Sequence, residues 1–233
     1  MNMLPFPCIR PDQEQITPAL ATVHRALGAA SREAARAMLE ESIQAGVHVR
    51  DGNRGLYIYQ CMGEHGFTAV VGVTPLDALA GAVSEEEIEE ESGAAREICR
   101  LGCQLRPVCA GVEHNAVLDM IVSAAKTSTP VYAMQDRTGT THAVWEILRQ
   151  EAVEAIRAML AQAGEPEPLK SGRADLAADV AAARLLNEEL RADGTYTGRE
   201  PSNFIMCAAV TEGDADDANL GALTCLLLHR IAR

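Results

Sequence analysis

The chain has 233 residues, 48% apolar, 3% aromatic and 23% charged, which is enough length for a real core built from aliphatic side chains. Its 20 Lys and Arg against 33 Asp and Glu give a net charge of −13, and its basic residues are scattered, which argues against nucleic acid or an anionic membrane as a partner. No apolar run reaches the roughly 18 residues that span a bilayer, and the start lacks a cationic segment followed by an apolar one, so the expectation is a soluble cytoplasmic protein whose seven cysteines stay reduced.

In chain order, Pro5, Pro7 and Pro11 predict an irregular arm over residues 1–16. Thr17-Pro18 reads as the start of a helix that ends near Gly28. Ser31 reads as the cap of a second helix, stopped at Gly46. "LYIYQCM" and "FTAVVGV", separated by the short "GEHG", predict a β-hairpin. "LDALAGAV" reads as helical. Ser84 and Glu87 form a capping-box pattern at the head of a helix reaching Leu101.

"QLRPVCAGV" reads as a strand in which Pro107 demands an edge or a bulge. "NAVLDMIVSAA" reads as a helix and "PVYAM" as a strand. A long helix is predicted over "TGTTHAVWEILRQEAVEAIRAMLAQAG", and "EPEPLKSG" as a linker. Ser171 then opens a helix, "NFIMCAAVT" is a strand buried on both faces, and "LGALTCLLLHRIA" is a buried terminal helix. This order does not alternate regularly. It predicts a helix-rich α+β fold, or an irregular α/β one, with helices covering a mixed sheet. Residues 1–164 form the main portion, and residues 165–233 pack on it in one compact unit.

Four stretches carry candidate chemistry. "DRTGTTHAVWE" places Gly139, Thr140 and Thr141 at the head of the predicted long helix, where free N–H groups suit a carboxylate or phosphate. Arg137 would neutralise that anion, and His142 and Glu146, four apart on one helix face, would serve as an acid/base or cation-binding pair. Two Glu-His pairs, Glu64-His65 and Glu113-His114, supply carboxylates and imidazoles suited to a divalent metal if the fold brings them together. Cys99, Cys103 and Cys109 match no closed zinc spacing and are expected to pack as small apolar residues. Asp214, Asp216, Asp217 and Asn219 read as a solvated acidic loop. No phosphate loop, dinucleotide fingerprint, nucleophile elbow or H-E-x-x-H pattern is present.

Two resemblances follow from quoted residues. Residues 31–63, "SREAARAMLEESIQAGVHVRDGNRGLYIYQCMG", resemble the opening of the GlcG-like haem-binding family, with a helix and then a strand joined through an Asp-Gly turn. They differ where that family has an apolar strand before the turn. "VLDMIVSAAKTS" followed by "THAVWE" resembles the histidine-utilisation antiterminator family, HutP. That resemblance implies a helix with two metal-binding residues four apart, here His142 and Glu146, so one histidine is replaced.

The reading these features support is a small-molecule binding protein for an anionic ligand, extending to metal-assisted lyase or hydrolase chemistry. The alternative is a non-enzymatic regulatory or structural protein, including a HutP-like ligand- and metal-dependent regulator or a GlcG-like haem-binding protein. In either case an Ala-rich chain with apolar terminal helices is expected to form a homo-oligomer.

Overall fold

The computed structural model of the chain describes residues 1–63, 66–163, 167–192, 204–213 and 227–230. Its first residues are not an irregular arm. Strand β1 (Cys8–Pro11) is flanked by β2 (His48–Arg50) and β11 (Leu228–Arg230), and β5 (Cys103–Gln104) extends beyond β11, all antiparallel. Met3, Phe6, Cys8 and Ile9 are buried. Their burial holds the segment extended, a conformation proline tolerates as long as its missing N–H is not required. Leu228–Arg230 lies in the predicted terminal helix but is strand, because it pairs with β1 on one side and β5 on the other. The rest of that predicted helix, apart from Leu227, lies outside the described residues.

The second sheet has seven strands in the order β7 (Tyr132–Gln135), β8 (Thr141–Ile147), β3 (Leu56–Met62), β4 (Phe67–Pro75), β10 (Phe204–Gly213), β6 (Val108–Gly111) and β9 (Glu167–Pro168). The β10–β6 pair is parallel and every other pair is antiparallel, so the sheet is mixed. The β3–β4 hairpin matches the prediction, and Ile205 to Ala209 are buried on both faces of β10 as predicted. The "QLRPVCAGV" run is split. Pro107 cannot donate to a ladder, so the chain leaves one sheet after Gln104 and enters the other at Val108. The Gln104 side-chain oxygen accepts the Met206 N–H at 2.6 Å, filling the ladder position that the break leaves open on β10.

Eight helices are described: α1 (Ile16–Leu27), α2 (Arg32–Gln44), α3 (Asp77–Ala80), α4 (Glu85–Glu90), α5 (Ser92–Leu101), α6 (Ala116–Ala125), α7 (Gln150–Gln162) and α8 (Lys170–Ala192). The structure is thus a helix-rich α+β fold with two sheets. Ser31 accepts from Ala34 N–H, Ser84 and Glu87 form the predicted capping box, and Asn115 accepts from Val117 and Leu118. The helix predicted from Ser84 to Leu101 is broken at Glu91, and its second half ends at Gly102 with φ 69°. Helix α1 starts at Ile16 behind Gln15, so Thr17 does not cap it.

The layers follow from alternation along β3. Leu56 and Ile58 face one side, where Leu118, Ile156, Leu160, Leu176 and Val180 of α6, α7 and α8 complete an apolar core. Tyr57, Tyr59 and Cys61 face the other side, toward Phe6 and Cys8. The four-stranded sheet covers that second side, and α1 and α2 cover its outer face through Val23, Ala35 and Leu39. Gly72 permits the N-terminal segment to cross β4: a Cβ there would meet Met3, Leu56 and the Leu4 carbonyl. The edge of β7 is closed by a side chain, since the Gln13 amide both donates to Ala133 O and accepts from Ala133 N–H.

Candidate functional site

The long helix predicted from Thr138 onward does not exist at its start. Thr141–Ile147 is strand β8, and helix begins only at Gln150. The run "THAVWEI" packs against β3 over its whole length, and this tertiary pairing overrides its helical spacing. Residues 136–140 are therefore a hairpin turn between β7 and β8, closed by Asp136 N–H to Thr140 O at 2.9 Å, with Gly139 at φ 87°. His142 and Glu146 still share a face, now with a period of two. They stand about 13 Å apart along the strand rather than about 6 Å apart on a helix. They do not form one acid/base pair, and the helix implied by the antiterminator resemblance is absent at these residues.

Of the N–H groups expected to cradle an external anion, that of Thr140 already holds the Asp136 carboxylate and that of Gly139 donates to the Asp136 carbonyl. Asp136 Oδ1 accepts from Thr138 N–H at 2.8 Å, Thr138 Oγ1 at 2.6 Å and Thr140 N–H at 3.0 Å. Its other oxygen lies 3.2 Å from His142 Nε2. The Thr138 hydroxyl leads these contacts, which together hold the Asp136 carboxyl down at about 2. Arg137 is exposed at the turn, and Gly139 and Thr141 make no part of this cradle.

His142 is buried and bridges inward. Its Nδ1 lies 2.7 Å from the Tyr59 hydroxyl, and the two rings stack. Burial, then the neighbouring Cys61, push the Tyr59 hydroxyl far up, so it keeps its proton and donates to Nδ1. Nε2–H is then left to donate to Asp136. The result is a continuous chain, Tyr59 to His142 to Asp136, running from the space between the sheets to the turn.

A second polar group lies between the sheets. Asp51 is almost fully buried, accepts from Arg10 Nε at 3.1 Å and from the Tyr57 hydroxyl at 2.7 Å. Glu146 is the cross-strand partner of Tyr57. Its carboxyl is raised above the usual range by burial and then by Asp51. Asp51 reads as turn punctuation in the sequence, and Arg10, Tyr57 and Tyr59 carry no motif. The signal that was available was the alternation of Tyr57, Tyr59 and Cys61 onto one face.

The turns meet at one end of the large sheet. Thr141, Met62, Phe67, Gly213 and Gly111 end or begin neighbouring strands there. A Cβ on Gly63 would sit 2.9 Å from Thr140 Oγ1, so the β3–β4 turn touches the Asp136 turn. Glu64 and His65 in that turn lie outside the described residues. Glu113 and His114 follow β6, four strand spacings or about 19 Å from β8. Both are exposed, and His114 Nδ1 lies 3.2 Å from Asp119. The fold therefore sets Gly63 beside Thr140 of the "TGTTH" turn and leaves His114 apart. Among the described residues no three His, Cys, Asp or Glu side chains gather into a metal-holding group.

Between the adjoining ends of β3 and β4 and the end of β10 lies a cavity of about 420 Å³, lined by Gln60, Cys61, Gly63, Thr68, Glu212 and neighbours and by no residue of the Asp136 turn. Gly213, at φ 80°, packs against the Gly66 carbonyl with no room for a side chain. Cys61 and Phe67 belong both to this wall and to the surroundings of the relay: Cys61 is the cross-strand partner of His142, and the Phe67 ring packs on Tyr59 at 5.4 Å. Of the polar side chains here, Gln60 and Thr68 both donate and accept while Glu212 only accepts; Glu212 accepts from Thr68 and is paired loosely with Lys126 at 3.9 Å. Asp214, Asp216, Asp217 and Asn219 lie outside the described residues.

Cys99, Cys103 and Cys109 are all free and buried, as their spacing predicted. Burial raises the Cys99 and Cys103 thiols to about 11 each and Cys109 further still, which keeps them protonated. Cys103 sits on β5 rather than on the helix of Cys99. No described helix is long and apolar enough to cross a membrane. The sequence matches the family described as Protein of unknown function (DUF1015) over residues 16–217. No curated protein and no solved structure matches it.

Proposed function

The chain belongs to the DUF1015 family, and from that premise we propose, on geometry alone, that it is an intracellular protein that binds a small ligand at the end of its seven-stranded sheet. The observation that carries this reading is the cavity where the ends of β3, β4 and β10 converge, one strand away from a buried hydrogen-bond chain. The ligand class differs from the sequence expectation. The anion cradle is filled by Asp136, while the cavity offers Gln60, Thr68 and Glu212. The Glu212 carboxylate, which only accepts, suits a ligand that donates hydrogen bonds, such as a polyol or amino sugar, over a phosphate or carboxylate.

His142 and Tyr59 act as positioning residues in this reading. They are sealed from solvent and hold the Asp136 turn in place, and Glu146 and Arg137 take no part in the cavity. The reading is therefore binding without covalent chemistry. The reduced state of the six described cysteines supports an intracellular setting.

The test is thermal unfolding with polyols and amino sugars in one arm, and inorganic phosphate and simple carboxylates in the other. A true ligand at a hundred times its Kd stabilises by about 2.7 kcal/mol. Stabilisation is expected in the first arm, weakened about tenfold in affinity by Thr68→Val or Glu212→Gln. Stabilisation by phosphate that survives or strengthens in Glu212→Gln would overturn the assignment.

A further inference from the structure

Beside the cavity lining stands a cation of a kind this chain seldom uses. The sequence holds 18 arginines and two lysines, Lys126 and Lys170. Lys126 ends α6, where a positive charge is favourable next to the last carbonyls of the helix. That preference does not require the side chain to reach the sheet. Yet its ammonium lies 3.9 Å from Glu212 Oε2, and the side chain is only 17% exposed. Alternation explains the meeting. Gln60 and Thr68 stand two residues from Ile58 and Val70, so they share the face that Leu118 and Val122 of α6 cover. Glu212 is the cross-strand partner of Thr68 and accepts from its hydroxyl. Lys126 therefore stands at the end of a polar row, Gln60, Thr68 and Glu212, that crosses β3, β4 and β10.

The pair does not close. Arginine forks such as Arg32–Glu189 and Arg184–Glu85 meet their carboxylates at 2.6 Å. Around Glu212 Oε2, Lys126 Nζ stands at 3.9 Å and Thr68 Oγ1 at 3.4 Å, both longer than a good hydrogen bond. One oxygen about 2.8 Å from each end spans the gap between ammonium and carboxylate. That oxygen must accept from Lys126 and donate to Glu212. A hydroxyl does both, whereas an ionised carboxylate does not donate and an ammonium does not accept. Resting on the reading of this cavity as a ligand site, we infer that Lys126 is its specificity-determining residue and that its ligand is a neutral polyol, a sugar or sugar alcohol, with one hydroxyl bridging Lys126 and Glu212. An amino sugar would bring its ammonium to the same carboxylate against the like charge of Lys126.

The experiment is calorimetric titration of the full chain with matched sugars, glucose against glucosamine and galactose against galactosamine, at about pH 6, where the amine is protonated. The wild type is expected to bind a neutral sugar about tenfold more tightly than its amino counterpart. Lys126→Met should weaken the neutral sugar about tenfold and abolish the preference. Lys126→Arg, whose fork can close directly on Glu212, should also weaken the neutral sugar but still reject the amino sugar. The ion pair is loose, so both variants are expected to keep the wild-type melting temperature without sugar. A preference for the neutral sugar that persists in Lys126→Met, or tighter binding of the amino sugar by the wild type, would overturn the inference. The cavity reading would survive either result provided that Thr68→Val weakens binding. Binding of none of these sugars, or binding indifferent to Thr68→Val, would overturn the cavity reading and this inference with it.

Discussion

The two faces of the seven-stranded sheet are built from the same strands by opposite means. Toward α6, α7 and α8 the contacts are aliphatic and non-directional, centred on Leu56, Ile58 and Val70. Toward the four-stranded sheet, the buried tyrosines Tyr57 and Tyr59 each bring a hydroxyl that needs a named partner, and Asp51 and His142 supply it. The first face tolerates any side chain of suitable volume. The second works only in one register, because a slip of one residue on β3 would exchange Tyr57 and Tyr59 for Ile58 and Gln60. The apolar face therefore supplies bulk stability, and the polar face specifies how the two sheets sit on each other.

That contrast can be broken by mutation. Ile58→Ala on the apolar face is expected to cost about 3–4 kcal/mol in urea unfolding, with no dependence on pH. On the polar face, Asp51→Ala leaves the largely buried Arg10 unpaired and is expected to cost about 3 kcal/mol. Tyr57→Phe removes one of Asp51's two bonds and should cost about 1–2 kcal/mol. A double-mutant cycle of Tyr57→Phe with Asp51→Ala should show coupling, whereas a cycle of Ile58→Ala with Asp51→Ala should be close to additive.

Acid sharpens the contrast. Burial lowers His48 and His229, on the four-stranded sheet, from 6.5 to about 4. The unfolded chain then binds protons first as pH falls, so the stability these groups contribute is complete above 6.5 and is lost toward 4. The expected slope approaches 1.4 kcal/mol per pH unit for each histidine. Asp136, also depressed, adds a further loss below its ordinary 3.8 toward 2. Urea midpoints measured from pH 7 to pH 4 check the first window. A flat profile there would show that neither histidine is buried uncharged.

Asp179 on α8 titrates in the opposite sense. Burial raises its carboxyl well above the usual range, and one of its oxygens has no described hydrogen-bond partner. Its contribution is fully present below about 3.8 and erodes as pH rises. Asp179→Asn is thus expected to stabilise the protein by about 1–2 kcal/mol at pH 7 and by little near pH 4, read as a difference in melting temperature. The smallest effect belongs to the sheet edge. Gln13→Ala should cost under about 1 kcal/mol yet raise aggregation during heating, because it uncovers Ala133 on β7.

Local signals in the sequence read true where neighbours in the chain decide the outcome. The capping box at Ser84, the Ser31 cap, the β3–β4 hairpin and the buried run of β10 were all legible. The failures share a cause: at β1, β8 and β11 the deciding partner is remote. "THAVWEI" has helical spacing, but β3 lies about eighty residues earlier and pairs with it along its full length. The site suffered in proportion. His142 was visible as a polar residue of interest. That its partner would be Tyr59, and that Asp136 would fill the anion cradle, depended on the strand replacing the helix.

The position of β10 bears on synthesis. It lies between β4 and β6, so the largest strand interface in the sheet is made by residues 204–213, which are synthesised after every other strand of that sheet. Until they emerge, β7, β8, β3 and β4 can form only a meander whose β4 border, a mostly apolar strand of nine residues, is open to any passing extended chain. Nascent chains stalled before Phe204 should therefore recruit holding chaperones and release them once β10 is exposed, making its arrival the commitment step in maturation.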